Sequence, residues 1–204
     1  MRLTLIYIMI LFCASNAAAQ DGLFGSVSGY GEPMIQVSQV EDHTVLLAGA
    51  KLGVILGGRL MFAAHLSNMI SQNVESQYLD PKSGRRPYLT MDFYAFELGY
   101  IFTRGEKFHF FARATGGWGY VNYFSDLVRI EDEVYNPDYG YDLYYTLEPR
   151  IALLMEINDW IYLAADAGWR IAIGADYEYR GEVYDNSRLS GYTIQISVIF
   201  GTMK

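Results

Sequence analysis

Apolar and polar residues alternate with a period of two along most of this chain, most cleanly between Tyr141 and Ile157. Leu143, Tyr145, Leu147, Pro149, Ile151, Leu153, Met155 and Ile157 fall on one side. Asp142, Tyr144, Thr146, Glu148, Arg150, Ala152, Leu154 and Glu156 fall on the other. Successive side chains of a strand point to opposite faces, whereas a helix would scatter both sets around its axis. The next segment divides the same way, with Ile161, Leu163, Ala165, Ala167, Trp169, Ile171 and Ile173 against Tyr162, Ala164, Asp166, Gly168, Arg170 and Ala172. The last segment sets Tyr192, Ile194, Ile196, Val198 and Phe200 against Thr193, Gln195 and Ser197. Two earlier segments repeat the pattern, one over Tyr94–Phe102 and one over Lys107–Phe124. Three more, near Gly25 to Val40, Thr44 to Leu56 and Arg59 to Ile70, alternate less regularly, and the even strand count of a closed barrel supports them.

Which face is buried decides between two all-β architectures. A soluble sandwich or lipocalin-like barrel turns its apolar face inward and carries charge outside. Here the apolar set holds bulky aromatics, while the polar set holds glycines and opposite charges, which suits a narrow lumen. Tyrosine and tryptophan gather near segment ends, at Trp118, Tyr120, Tyr139, Tyr141, Trp169, Tyr177 and Tyr179, as in the aromatic girdles of a membrane barrel. Connection lengths agree with this. Leu56-Gly57-Gly58-Arg59, Thr103-Arg104-Gly105-Glu106 and Asn158-Asp159 are tight turns, while roughly 71–88, 124–140 and 178–189 are long polar connections. The predicted fold is an eight-stranded antiparallel transmembrane β-barrel with short periplasmic turns and longer outer loops. Pro33 and Pro149 lie inside predicted strands, where a bulge or kink is expected.

The amino terminus sets the compartment. Arg2, the apolar run Leu3 to Phe12 and the small-residue stretch ending at Ala17-Ala18-Ala19 have the form of a secretory signal peptide. Cleavage after Ala19 divides the chain into a signal peptide, 1–19, and a barrel domain, 20–204. The apolar run is too short for a spanning helix, which needs about 20 residues. No later apolar run is long enough either, so a spanning structure has to be a closed barrel. Cys13 is the only cysteine and falls in the signal, which removes disulfides and thiolate metal sites from the mature chain. Losing Arg2 leaves 14 Lys+Arg against 23 Asp+Glu, an acidic balance that argues against a nucleic-acid partner.

Several short motifs carry a family resemblance: Gly29-Tyr30-Gly31-Glu32-Pro33, Gly49-Ala50-Lys51-Leu52-Gly53, Glu148-Pro149, Asn158-Asp159-Trp160 and Gly168-Trp169-Arg170. Through them nearly the whole mature chain resembles the small outer-membrane β-barrel proteins of the Bacteroidetes type. It departs from them at Glu32, where glycine is usual, and at Trp169, where tyrosine is. The architecture is also similar to the eight-stranded barrels of the OmpX and OmpA type. The resemblance implies fold and location in the cell outer membrane, and brings no activity with it.

An eight-stranded barrel encloses only enough space for side chains. The alternation places Glu32, Lys51, His65, Glu97, Arg113, Glu148, Arg150, Asp166 and Arg170 on the inner faces, most of them at similar depth. Charges in so narrow a space must pair, so we read these residues as a structural network that plugs the lumen, with an ion path as the alternative. Catalysis by a lipid-modifying barrel would need a histidine beside serine or acid. His65 and Ser67 stand two apart on one strand, which points the serine alongside the imidazole rather than onto it, and the chain is read as non-enzymatic. No cofactor or metal is implied. The acidic, tyrosine-rich loops around Glu131-Asp132-Glu133, Asp138, Asp176-Tyr177-Glu178, Glu182 and Asp185 are read as solvated surface rather than calcium sites. Expected partners are outer-membrane lipid, with Arg85-Arg86 facing lipopolysaccharide phosphates, and an envelope protein. The function expected is a structural or interaction barrel that presents loops and does not conduct.

Overall fold

The computed structural model describes residues 26–80, 84, 86–104, 107–124, 128–130, 133–135, 140–179 and 181–202. The predicted signal peptide and its cleavage site lie outside them. Long extended segments with one apolar face have two ways to bury backbone groups, and this chain takes the closed one. Eight strands form a barrel: β1 (Val27–Val40), β2 (His43–Leu56), β3 (Leu60–Met69), β4 (Tyr88–Arg104), β5 (Phe108–Phe124), β8 (Asp142–Asn158), β9 (Ile161–Ile173) and β12 (Gly191–Gly201). Each pairs antiparallel with its neighbour in sequence, and β12 closes the sheet onto β1. No edge is left unpaired, as a lipid-exposed sheet requires. Two short hairpins stand outside the barrel, β6 (Val128–Ile130) with β7 (Glu133–Tyr135) and β10 (Asp176–Tyr179) with β11 (Glu182–Asp185).

Side-chain exposure follows the alternation along the strands, interrupted at positions such as Gly31, Gly49 and Gly117. Outward Phe96 and Ile151 are 65% and 72% exposed, while inward Leu154 and Ile199 are fully buried. A soluble barrel would show the reverse, with its bulky apolar residues inside. The 13 residues of β9, rising about 3.4 Å each and tilted by about 40°, span about 30 Å, the thickness of a bilayer's hydrocarbon core. Among the described residues no helix is long and apolar enough to cross a membrane.

The turns joining β2 to β3, β4 to β5 and β8 to β9 are short and sit at one end, beside the start of β1 and the end of β12. In the β2–β3 turn Gly57 and Gly58 both have positive φ, 55° and 58°, and Arg59 N donates to Leu56 O. That is a type I′ geometry, which glycine adopts without steric cost. At the other end a two-residue turn, Glu41-Asp42, joins β1 to β2, and the other three connections span 70–87, 125–141 and 174–190. The last starts four residues before its predicted boundary: β9 ends at Ile173 as read from the alternation, and Gly174, at φ 80°, opens the connection at once. It contains the β10–β11 hairpin and one helical turn, α1 (Asn186–Leu189).

The two prolines do not make bulges. Pro33 stays in register with Ala50, and the β1–β12 ladder passes from Gly31↔Phe200 to Met34↔Ser197 at the same offset. Pro149 faces Ala114, and the β8–β9 ladder passes unshifted from Leu147↔Ile171 to Arg150↔Gly168. A missing N–H interrupts one ladder locally, and the opposite strand holds the register. The register shifts fall instead near the short turns, between Ile101 and Thr103 and between Glu156 and Asn158.

Candidate functional site: the barrel lumen

The inward positions of the eight strands build three layers along the barrel axis, with the paired opposite charges gathered in the middle one. Arg113 of β5 is its hub. Its Nε and Nη2 donate to the two oxygens of Asp166 at 2.6 and 3.0 Å. Its Nη1 donates to both oxygens of Glu32 at 2.9 Å and to Glu97 at 3.0 Å. Lys51 donates to Glu97 at 2.8 Å and to Glu32 at 3.2 Å. Arg150 donates to Glu97 at 2.9 Å, to Gln195 at 2.6 Å and to the Thr115 hydroxyl. The formal charges of Lys51, Arg113 and Arg150 cancel those of Glu32, Glu97 and Asp166, and all six are buried.

Arg113 and Arg150 face each other directly across β5 and β8, an unfavourable pairing taken alone. Glu97, on the next strand, offers one oxygen to each. Neutral groups complete the layer. Gln195 donates to Glu32 at 2.9 Å and to Asp166 at 3.2 Å, Ser197 donates to Glu32 at 2.8 Å, and Thr115 donates to Glu97 at 3.0 Å. Glycine makes the space for some of these side chains. A Cβ on Gly168 would stand 2.4 Å from Arg150 Cγ, and one on Gly53 would stand 2.6 Å from the Tyr30 ring.

The remaining predicted inner residues lie around this layer. Glu148 is at its margin, 3.9 Å from Arg150 and 3.4 Å from the Gln36 amide. His65 pairs across strands with Lys51, meets Phe93 edge-on at 5.2 Å, and has no hydrogen-bond partner for either ring nitrogen among the described residues. Arg170 belongs to the layer above, where it donates to the carbonyls of Leu189 and Gln39 at 2.8 and 2.9 Å. Thus all nine predicted residues are buried, and seven of them, Glu32, Lys51, Glu97, Arg113, Glu148, Arg150 and Asp166, come together. Gln36, Thr115, Gln195 and Ser197 also belong. Their inner-face positions were readable, but a neutral amide or hydroxyl carries no sign by which a sequence assigns it a partner.

Apolar layers close the lumen on both sides. Towards the short turns lie Tyr30, Ile55, Met61, Phe111, Leu154 and Tyr162, with the Arg113 guanidinium over the Phe111 ring at 4.5 Å. Towards the long loops, Leu47, Met91, Val121 and Tyr144 pack with Tyr177, Tyr184 and Leu189, all three from the 174–190 connection. That connection folds down over the mouth. Tyr123 N donates to the Tyr177 hydroxyl, and the Tyr123 and Tyr184 hydroxyls meet at 2.8 Å. Tyr177, expected in an aromatic girdle, is therefore part of this lid. Glu41 N donates to Arg188 O at 2.7 Å, and Arg188 pairs with the Glu41 carboxylate at 2.5 Å. Asp185 caps α1, accepting from the Ser187 hydroxyl and from the amides of Ser187 and Arg188. The Ser187 hydrogen bond, with those amides, holds the Asp185 carboxyl below the usual aspartate range.

The outward face does carry aromatic side chains towards the loop end. Trp118 stacks on Tyr94, and Tyr94, Tyr120 and Tyr141 follow edge to face. Tyr139 lies outside the described residues, as do Asp132, Asp138 and Arg85.

A closed, eight-stranded antiparallel barrel with an apolar exterior and a filled lumen defines the class: the fold is that of small outer-membrane β-barrels. The chain matches the crystal structure of Neisserial surface protein A with a TM-score of 0.53 and 8% identity, over 87% of this chain and 97% of that one. It matches the N-terminal β-barrel domain of Pseudomonas aeruginosa OprF with a TM-score of 0.50 and 13% identity, over 85% of this chain and 96% of that one. No protein-family profile and no curated protein matches the sequence.

Proposed function

We propose that this chain is a non-conducting, non-enzymatic barrel of the cell outer membrane whose role is structural or interactive, exercised through its outer loops. The observation that carries this reading is the three-layered lumen, filled by charge in the middle, by apolar side chains at both ends and by a lid over the outer mouth. A closed interior leaves the loops and the lipid-facing wall as working surfaces. His65 and Ser67 are fully enclosed, away from lipid, and His109 lies at the short-turn rim, 3.8 Å from Glu156. Neither arrangement offers a substrate a path to a histidine. The amino-terminal motif supports a secreted precursor cleaved after Ala19, and the short glycine-rich motifs support membership of the Bacteroidetes-type small barrels. Exposed Arg86 supports contact with lipopolysaccharide phosphates, and the loops are open to an envelope protein partner.

Planar-bilayer recording of the purified mature protein tests the central point. Silence is expected, and steady large currents through the unmodified barrel would overturn it. Membrane-extracted protein should begin at Gln20 by intact mass and should migrate faster unheated than boiled. Recovery from the soluble periplasm would refute the membrane assignment.

A further inference from the structure

We propose that an anionic glycerophospholipid of the inner leaflet docks on the outer wall of the barrel, with its phosphate on Arg59 and one acyl chain in a groove across β4, β5, β8 and β9. The groove is shallow and open to the membrane along its length, with a volume of about 670 Å³. Most outward positions carry bulky side chains, but here Ala112, Ala114, Pro149 and Ala167 form a depressed floor between Tyr100 and Trp169. Registers Tyr100↔Ala112, Ala112↔Ile151 and Ile151↔Ala167 carry the groove across neighbouring strands, with Ile151 projecting between the alanines as part of its wall, beside the place where Pro149 interrupts the β8–β9 ladder.

The groove is oblique to the membrane. At one end Leu60, the first residue of β3, pairs with Tyr100 beside the short turns, whereas Trp169 stands well along β9 from its start at Ile161. From Leu60 to Ala167 it crosses four strand spacings, about 19 Å. Its low end is at headgroup height and its high end is deep in hydrocarbon. At the low end Arg59 Nη1 donates to the Tyr100 hydroxyl at 3.4 Å, which holds the guanidinium at the groove mouth. Lys107, also exposed, begins the adjoining β5 hairpin. Cationic and phenolic donors at a membrane interface, above a slot for hydrocarbon, match a phosphodiester with an acyl tail, and a guanidinium suits phosphate oxygens in particular.

Native mass spectrometry of the full mature protein, released from detergent, tests this. The probes are dipalmitoyl phosphatidylglycerol and dipalmitoylglycerol, which share chains and differ in the phosphate headgroup. One phosphatidylglycerol should remain bound where the neutral lipid is lost. Arg59→Ala should weaken that binding about fivefold, the effect of one interfacial cation, and leave the neutral lipid unchanged. Ala114→Trp, or Ala167→Leu if that variant does not fold, should weaken both by filling the floor. Faster migration of unheated samples reports folding and insertion separately. Equal retention of the two lipids, unchanged retention by Arg59→Ala, or a lipid-free dimer with the groove filled by a second copy would each overturn the proposal.

Discussion

Removing Arg113 strips the charged layer of its hub, and the geometry says which partner suffers. Without Arg113, Glu97 keeps Lys51 at 2.8 Å and Arg150 at 2.9 Å, and Glu32 keeps Lys51 at 3.2 Å with Gln195 and Ser197. Asp166 loses both strands of its bidentate pair and keeps only the Gln195 amide at 3.2 Å. One carboxylate is thus stranded, and breaking one buried pair costs about 3–5 kcal/mol. Arg113→Ala should lower stability by about that amount in reversible urea unfolding in detergent micelles, followed by tryptophan fluorescence. Adding Asp166→Asn removes the stranded charge, so the double variant should be more stable than Arg113→Ala alone, with a coupling of about 1–3 kcal/mol. Neither variant should conduct in planar bilayers, since Phe111, Leu154 and Tyr162 below and Tyr144 and Leu189 above still fill the lumen. A cost under about 1 kcal/mol, the worth of an exposed ion pair, or strict additivity of the two changes, would refute a desolvated network.

Ile151→Arg places a charge on the lipid face and should cost about 2–4 kcal/mol near the midplane, while Thr146→Ala, on the inner face with no partner for its hydroxyl among the described residues, should be mild by the same unfolding assay. The reverse order would mean that the register of β8 is off by one residue. Gly168→Ala should cost about 1–3 kcal/mol through overpacking, since its Cβ would meet Pro149 O at 2.3 Å as well as Arg150; an unchanged urea midpoint would refute that tightness. The depressed Asp185 carboxyl contributes stability to the lid above its unfolded pKa and loses it as pH falls through the lower folded value. Hydrogen exchange at residues 187–190 should therefore speed up in acid beyond its intrinsic change, and Asp185→Asn should remove that pH dependence.

The barrel was legible because lipid imposes one rule along each whole strand: outward residues such as Ile151, Leu153, Ile194 and Ile196 must be apolar. Five strand positions and the inner charges they carry followed from that period, and the three less regular strands near the amino terminus needed the even strand count of a closed barrel as well. The prolines were not legible. A sequence shows that Pro149 lacks an N–H, but not that β5 on its other side will hold it in register. The layering of the lumen was also hidden, because Phe111, Tyr144 and Leu154 share their inner faces with Arg113, Glu148 and Arg150. Their separation by depth appears only once tilt and stagger set the strands against each other. The lid was missed for a different reason. Tyr177 lies in an acidic, tyrosine-rich stretch that reads equally as a girdle or a loop, and its burial depends on Tyr123, far away in the chain.

Glu32 lies near the beginning of the barrel and Gln195 and Ser197 near its end, and the last two donate to the first across the β1–β12 seam. Arg113, from the middle of the chain, meets the same carboxylate. A curled sheet with all its hairpins formed but its seam open would therefore hold Glu32 without its β12 donors, although Asp166 would keep Gln195 across the β9–β12 pair. The half-built state has a thermodynamic reason not to persist in lipid, and a seam joined one residue out of step would turn Gln195 outward into hydrocarbon. The polar middle of this barrel thus makes insertion cooperative and checks, at the final step, that the first and last strands have met in the right alignment.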